Sequence, residues 1–290
     1  MNPYKNMVVG FVLALNALAC HGCSDDFDPS SRVVNLRVIA VQADRPSAAP
    51  GQQVRLDALY FDPEGRALSW AWGLCGSEAS SSALSCAQTL DLRAMSIGQA
   101  SSFEFTVPAA PAGSTAYDSV GIAVIACPGT LQPGDTVGIP VSCVDASGLA
   151  LDINAFEVGM KRVFVRDHDE NHNPQIEMVL WDGERWPEGE LREAGCDADG
   201  KKCKKHKLEV RAPDAQERAT DVDGRSIQEQ AVTQFYATGG TFEDDVRVVD
   251  EADTTWQPRA EDRGQVLTLW FVVRDDRGGV TWTERQVRVP

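Results

Sequence analysis

Val266-Leu-Thr-Leu-Trp-Phe-Val-Val-Arg-Asp-Asp-Arg-Gly-Gly-Val-Thr-Trp-Thr-Glu-Arg-Gln-Val-Arg-Val-Pro290 is the stretch from which the fold is read. Apolar and polar residues alternate on both sides of Asp275-Asp-Arg-Gly-Gly279, which predicts strands Val266 to Arg274 and Thr281 to Val289 around a turn. Upstream, from Val33 onward, the chain keeps this character. Short runs rich in Val, Leu, Ile, Phe and Trp recur about every ten residues between Pro, Gly, Asp and Ser clusters, the pattern of an all-β sandwich or barrel. Strands are expected at Asn35 to Gln42, Gln53 to Phe61, Leu68 to Leu74, Ser102 to Val107, Val120 to Cys127 and Met160 to Arg166. The second half adds Gln175 to Trp181, Lys207 to Ala212, Val232 to Ala237 and Arg247 to Val249. The turns have their own chemistry: in Ala49-Pro-Gly51 and Asp62-Pro-Glu-Gly65, Pro presets φ and Gly accepts positive φ. No segment carries a sustained apolar stripe of 3.6-residue period with caps, so long helices are not expected.

The two halves align in order. Gln53 to Ala58, then Asp62-Pro-Glu-Gly65, then Ser69 to Gly76 correspond to Lys207 to Ala212, Asp221-Val-Asp-Gly224 and Thr233 to Gly240. Phe105-Thr-Val-Pro108 corresponds to Thr255-Trp-Gln-Pro258. A repeat in unchanged order implies a duplicated module. The Asp-x-Glu/Asp-Gly turn before an aromatic strand, the Trp/Phe-x-x-Pro and the Asp-Asp-Arg-Gly-Gly turn resemble the PKD and immunoglobulin-like sandwiches of bacterial surface proteins. Trp256 to Pro290 is the most similar part. The resemblance implies an all-β fold of two tandem immunoglobulin/PKD-like β-sandwiches, residues 33–166 and 175–290, joined by a linker, 167–174. These turn motifs specify a fold and not an activity.

The N-terminus places the protein. One Lys, then the apolar run Met7 to Ala19, then Cys20 read as a secretory signal, too short for the about 20 residues a bilayer span needs. Ala17-Leu-Ala-Cys20 resembles the lipobox of bacterial lipoproteins, which implies cleavage after residue 19 and acylation of Cys20; Cys23, after Gly22, is a poorer box. The alternative is a secreted protein with Cys20 in a disulfide. Residues 20–32, polar and without periodicity, read as a lipidated Cys followed by a flexible tether. Signal, tether and tandem sandwiches together resemble outer-membrane lipoproteins abundant in myxobacteria and their relatives. His21, not Asp, after the Cys favours the outer membrane.

Removing the first 19 of 290 residues leaves 271, enough for two domains at about 100 to 200 residues each. The chain has 27 Lys and Arg against 43 Asp and Glu, a net charge of −16 that becomes −17 when Lys5 leaves with the signal. Nucleic-acid binding normally requires a basic face, so nucleic acid is not an expected partner. Six cysteines remain beyond Cys20 and Cys23, in sequence-local pairs: Cys75 with Cys86, Cys127 with Cys143, Cys196 with Cys203. Six cysteines allow 15 connectivities. Local pairing suits an oxidising compartment and stabilises by about 3 kcal/mol per loop in the chain-entropy model. No pair has the Cys-x-x-Cys spacing of a structural zinc site.

Three stretches are candidates for chemistry. Arg166 to Pro174 is the densest set of metal-type ligands, and Asp167, Asp169, Glu170, Asn171 and Asn173 supply oxygens of the kind Ca²⁺ takes. Its order is similar to the calcium linker between cadherin sandwiches, departing at His172; the alternative is a solvated interdomain linker. Lys201, Lys202, Lys204, Lys205 and Lys207 form the basic run of an acidic chain. They read as a contact for an acidic partner or glycan, or as a disulfide-closed hairpin tip kept soluble by Lys. The seven tryptophans are expected in cores, with Trp181 and Trp186 the most exposed and Trp186 a candidate binding residue. The four histidines lie in the tether, the linker and the Lys run, and no Gly-x-Ser-x-Gly or His-Glu-x-x-His motif is present. The expectation is a lipid-anchored, non-catalytic protein binding a protein or glycan partner, with no cofactor unless Ca²⁺ at the linker. The alternatives are an accessory subunit of an envelope machine or a glycan-active enzyme.

Overall fold

The alternation becomes strands along the whole chain of the computed structural model, which describes residues 29–75, 82–109, 119–166, 171–197, 202–220 and 225–290. The signal, Cys20, Cys23 and the tether up to residue 28 lie outside them. The first half contains β1 (Arg37–Ala43), β2 (Ser47–Ala48), β3 (Gln53–Phe61), β4 (Ser69–Leu74), α1 (Ala83–Gln88), β5 (Ser96–Gly98), β6 (Ser102–Thr106), β7 (Ser119–Cys127), β8 (Thr130–Thr136), β9 (Ile139–Val144) and β10 (Glu157–Val165). The second half contains β11 (Met178–Trp181), β12 (Glu184–Arg185), β13 (Leu191–Glu193), β14 (His206–Arg211), β15 (Arg218–Thr220), β16 (Ser226–Gln228), β17 (Ala231–Ala237), β18 (Thr241–Phe242), β19 (Val246–Val248), β20 (Asp253–Gln257), β21 (Val266–Asp275) and β22 (Val280–Arg288).

One order of strands occurs twice. A sheet β1-β3-β6 lies with a sheet β2-β10-β7-β4-β5, and a sheet β12-β11-β14-β20-β18 lies with a sheet β13-β22-β21-β17-β19. The correspondence reaches the edges: β2 pairs parallel with β10, and β13 pairs parallel with β22. Each pair of sheets encloses its own core. Trp70, Trp72, Leu56, Ile122 and Phe105 fill the first, and Trp181, Trp186, Leu208, Phe235, Trp256 and Phe271 fill the second. Six of the seven tryptophans are buried. Ser31 to Pro290 gathers into one compact unit, because a further cluster of Val33, Ile39, Ala40, Trp270, Val272 and Val280 joins β1 to the outer face of β21 and β22. Among the described residues no helix is long and apolar enough to cross a membrane.

β7 shows why an unbroken apolar run can be a strand. From Val120 to Cys127 every residue is buried, since its second face is covered as well. The cover consists of α1 and the β8–β9 hairpin, packed through Cys86, Ala87, Ile139, Val141 and Cys143 against Ala71, Ala123 and Ile125. Ser82 caps α1 by accepting from the Ser85 N–H, with the Ser85 side chain answering. The disulfides Cys75–Cys86 and Cys127–Cys143 tie both pieces down, and Cys196–Cys203 closes the loop before β14. All three pairings are those expected from sequence separation. At the turn after β17, Gly240 has φ +74°, and a side chain there would run into the Trp256 ring and the Gln257 carbonyl.

Candidate functional site

The polar residues of the linker gather at a junction between the halves. Asn173 Nδ2 donates to the Ala43 carbonyl at 2.7 Å, and its Oδ1 accepts from the Val280 N–H at 2.9 Å. Asn171 donates to the Arg277 carbonyl at 3.1 Å and to Asp275 Oδ2 at 3.4 Å. Pro174 is buried, and a side chain on Gly279 would collide with it. The Lys161 ammonium reaches in from β10 and donates to the Gly278 carbonyl. Burial, then the Arg274 guanidinium, push Lys161 down to about 7, against the pull of Asp275. Burial raises Asp275 despite the N–H groups of Gly279 and Arg277 and the Asn171 amide. Beside this set, Glu229 accepts from Arg277 at 2.8 Å and from the Glu217 N–H.

This geometry revises the reading of the linker. Its described end, residues 171–174, is packed instead of solvated, His172 excepted. Asn173, expected as a calcium ligand, has both amide atoms engaged by backbone groups, and the Asn171 amide nitrogen is likewise engaged. The nearby Lys161 ammonium is bonded to the Gly278 carbonyl. Asp167, Asp169 and Glu170 lie outside the described residues. Among the described residues no three or more His, Cys, Asp or Glu are grouped to hold a metal ion.

The basic run is divided. Lys201 lies outside the described residues; Lys202 and Lys205 are exposed. Lys204 pairs with Asp182 at 3.3 Å and Lys207 with Asp253 at 3.0 Å. His206, expected in a solvated lysine loop, instead begins β14 and is buried. Its Nδ1 lies 2.9 Å from Asp182 Oδ2 and its ring 4.2 Å from the Trp181 centroid. Burial lowers His206 below the ordinary histidine value although Asp182 opposes the shift. Burial opposes ionisation of Asp182 too, but hydrogen bonds from His206 and the Lys207 N–H hold it low. His206 Nε2 is buried with no hydrogen-bond partner among the described residues. The pair was legible only as an Asp-Gly turn and a distant histidine.

Trp186, the candidate exposed binding residue, is fully buried, and Trp181 is 4% exposed. The Pro187 turn folds the Trp186 indole inward, where its N–H donates to the Glu190 carbonyl at 2.9 Å. Its neighbourhood nevertheless opens outward. A groove of about 360 Å³ is lined by the backbone side of Trp186 together with Glu177, Glu188, Thr283, Arg285 and the half-buried Trp282. A second, acidic groove of about 280 Å³ lies by Glu209, Arg211, Asp250 and Asp253.

No family model matches the chain, and no curated protein matches it. Among solved structures, a nucleoside hydrolase-related hypothetical protein from Saccharophagus degradans, associated with carbohydrate metabolism, is similar at 10% identity and TM-score 0.28, over 42% of this chain and 26% of that one. The chain thus spans about a quarter of that protein. The D0-D1 domain of Intimin is similar at 10% identity and TM-score 0.23, over 87% of this chain and 98% of that one. Similarity at these scores carries no functional argument.

Proposed function

We propose that this chain is an outer-membrane lipoprotein, anchored through Cys20, whose two tandem immunoglobulin/PKD-like sandwiches, residues 33–166 and 175–290, bind a protein or glycan partner without catalysis. The observation that carries the modular part is the strand order that occurs twice, down to its parallel edge. Within the second half, β11-β14-β20-β18 follows the A-B-E-D order of immunoglobulin sandwiches, and β22-β21-β17 follows G-F-C. The anchor rests on the signal-like run ending at Cys20, which supplies high local concentration at a membrane. Disulfides in both halves suit an envelope location. Two observations support a non-catalytic role: His206 Nε2 is buried without a hydrogen-bond partner among the described residues, and the Lys161 ammonium is buried on the Gly278 carbonyl. Intact mass and detergent partition of the protein from its native membrane, with and without Cys20→Ala, test the anchor. A triacyl mass increment that vanishes in the variant is expected; an unmodified, soluble protein would overturn it.

A further inference from the structure

The groove beside Trp282 and Arg285 contains an unpaired piece of sheet edge. In β22 the odd-numbered residues point their N–H and C=O groups at β21, as Val289 shows by bonding Gln265 and Gly264. The even-numbered residues point them outward, as Arg288 shows by accepting from the Ala194 N–H. β13 covers this outer edge only along Gln286 to Arg288. At the other end two side chains cover Val280: its N–H bonds Asn173 Oδ1, and its carbonyl accepts from Gln42 Nε2 at 2.6 Å. Between them lie Trp282 and Glu284. The Glu284 carbonyl is taken by Arg285 Nη1 at 2.6 Å. The Trp282 N–H and C=O and the Glu284 N–H have no partner among the described residues, and Trp282 lines the groove.

Arg285 adds charge to this edge. It is 7% exposed and lines the groove, with Nε on the Trp186 carbonyl at 2.9 Å and Nη1 also on Thr283 Oγ1 at 2.6 Å. It makes no ion pair among the described residues, and Nη2 has no hydrogen bond. Burial lowers Arg285, with Glu188 and Glu284 only partly offsetting it. A buried guanidinium without a carboxylate favours an incoming anion.

We infer that this open segment of β22 binds an extended peptide segment bearing a carboxylate, added to the sheet in line with β13. The outward N–H and C=O of Trp282 exchange two hydrogen bonds with one peptide residue. The Glu284 N–H meets the next outward carbonyl or the carboxylate, and Arg285 Nη2 meets the carboxylate. Donor, acceptor and donor at alternate residues are the pattern by which a strand recruits another strand, and Arg285 gives the added strand an acidic end. This inference rests on the proposed binding role and names its partner class.

The test uses the full chain with the peptide acetyl-Val-Thr-Val-Thr-Glu and its Glu→Gln amide counterpart. Binding of the acidic peptide is expected to slow hydrogen exchange at the Trp282 and Glu284 amides, a readout needing no variant. Glu284→Pro removes one outward N–H while leaving the ladder to β21, and is expected to weaken binding about tenfold with the melting temperature nearly unchanged. Arg285→Gln is expected to abolish the preference for the acidic peptide. Protection absent at both amides, or affinity indifferent to both variants, would overturn the inference. Protection produced instead by a trigalacturonate, with none from the peptide, would overturn it while leaving the glycan form of the proposed role intact. The anchor is tested separately through Cys20.

Discussion

At residue 161 a lysine on a strand ends as an ammonium buried between packed faces, bonded to the Gly278 carbonyl and set beside Arg274 and Asp275. Its folded value of about 7 lies below the ordinary lysine value of ~10.4 that it regains on unfolding. Between those limits the unfolded chain binds more protons. Stability therefore rises with pH across the window from about 7 to 10, and the cost of the buried charge is fully present below 7. Thermal melting of the wild type is expected to gain on the order of 1–3 kcal/mol from pH 7 to 9.5 relative to Lys161→Met. Parallel curves for the two proteins would refute this. None of it was legible beforehand, since strand periodicity says which face a lysine occupies but not what docks against that face. Asn173 illustrates the same limit. Its composition read as calcium chemistry, and only the approach of Ala43 and Val280 assigns its amide to backbone groups.

Elements were legible to the extent that their two faces differ. The Gln53–Phe61 strand has the ends its pattern implies and alternates in burial from Gln53 to Leu56, whereas α1 and the β8–β9 hairpin escaped because neither carries a periodic signal of its own. Their trace in the sequence is the cysteine spacing, which implied closed loops after β4 and β7 without showing what filled them. Turn chemistry is sharper. Gly240 combines positive φ with a Gln257 carbonyl only 2.8 Å from where a side chain would begin. Gly240→Ala is expected to destabilise by about 2–4 kcal/mol in urea unfolding. Gly51 also has positive φ, but nothing lies within 4 Å of it, so Gly51→Ala costs about 1 kcal/mol. Equal losses at the two sites would remove the steric argument.

For the whole molecule, the question is what makes two repeated sheet pairs one compact unit. Trp270 and Val272 occupy the face of β21 opposite Phe271 and Val273, and they pack on Ile39, Ala40 and Phe61 from the first half. β21 is thus buried on both faces, as β7 is, and its near-continuous apolar run follows from that. Trp270→Ala is expected to cost about 3–5 kcal/mol and to expose β1 amides to hydrogen exchange. Loss of stability with β1 protection unchanged would mean that the cluster does not join the halves.

The sequence by itself determined the longer strands, the local cysteine pairs and the order in which the pattern repeats, because each depends on residues close together along the chain. Only the tertiary structure decided that Trp186 points inward, that His206 pairs with Asp182, that the linker asparagines bond to backbone, and that β22 keeps two outward positions uncovered. Those outcomes depend on which distant segments meet. Burial, hydrogen-bond pairing and charge at a residue belong to that meeting and not to the residue alone.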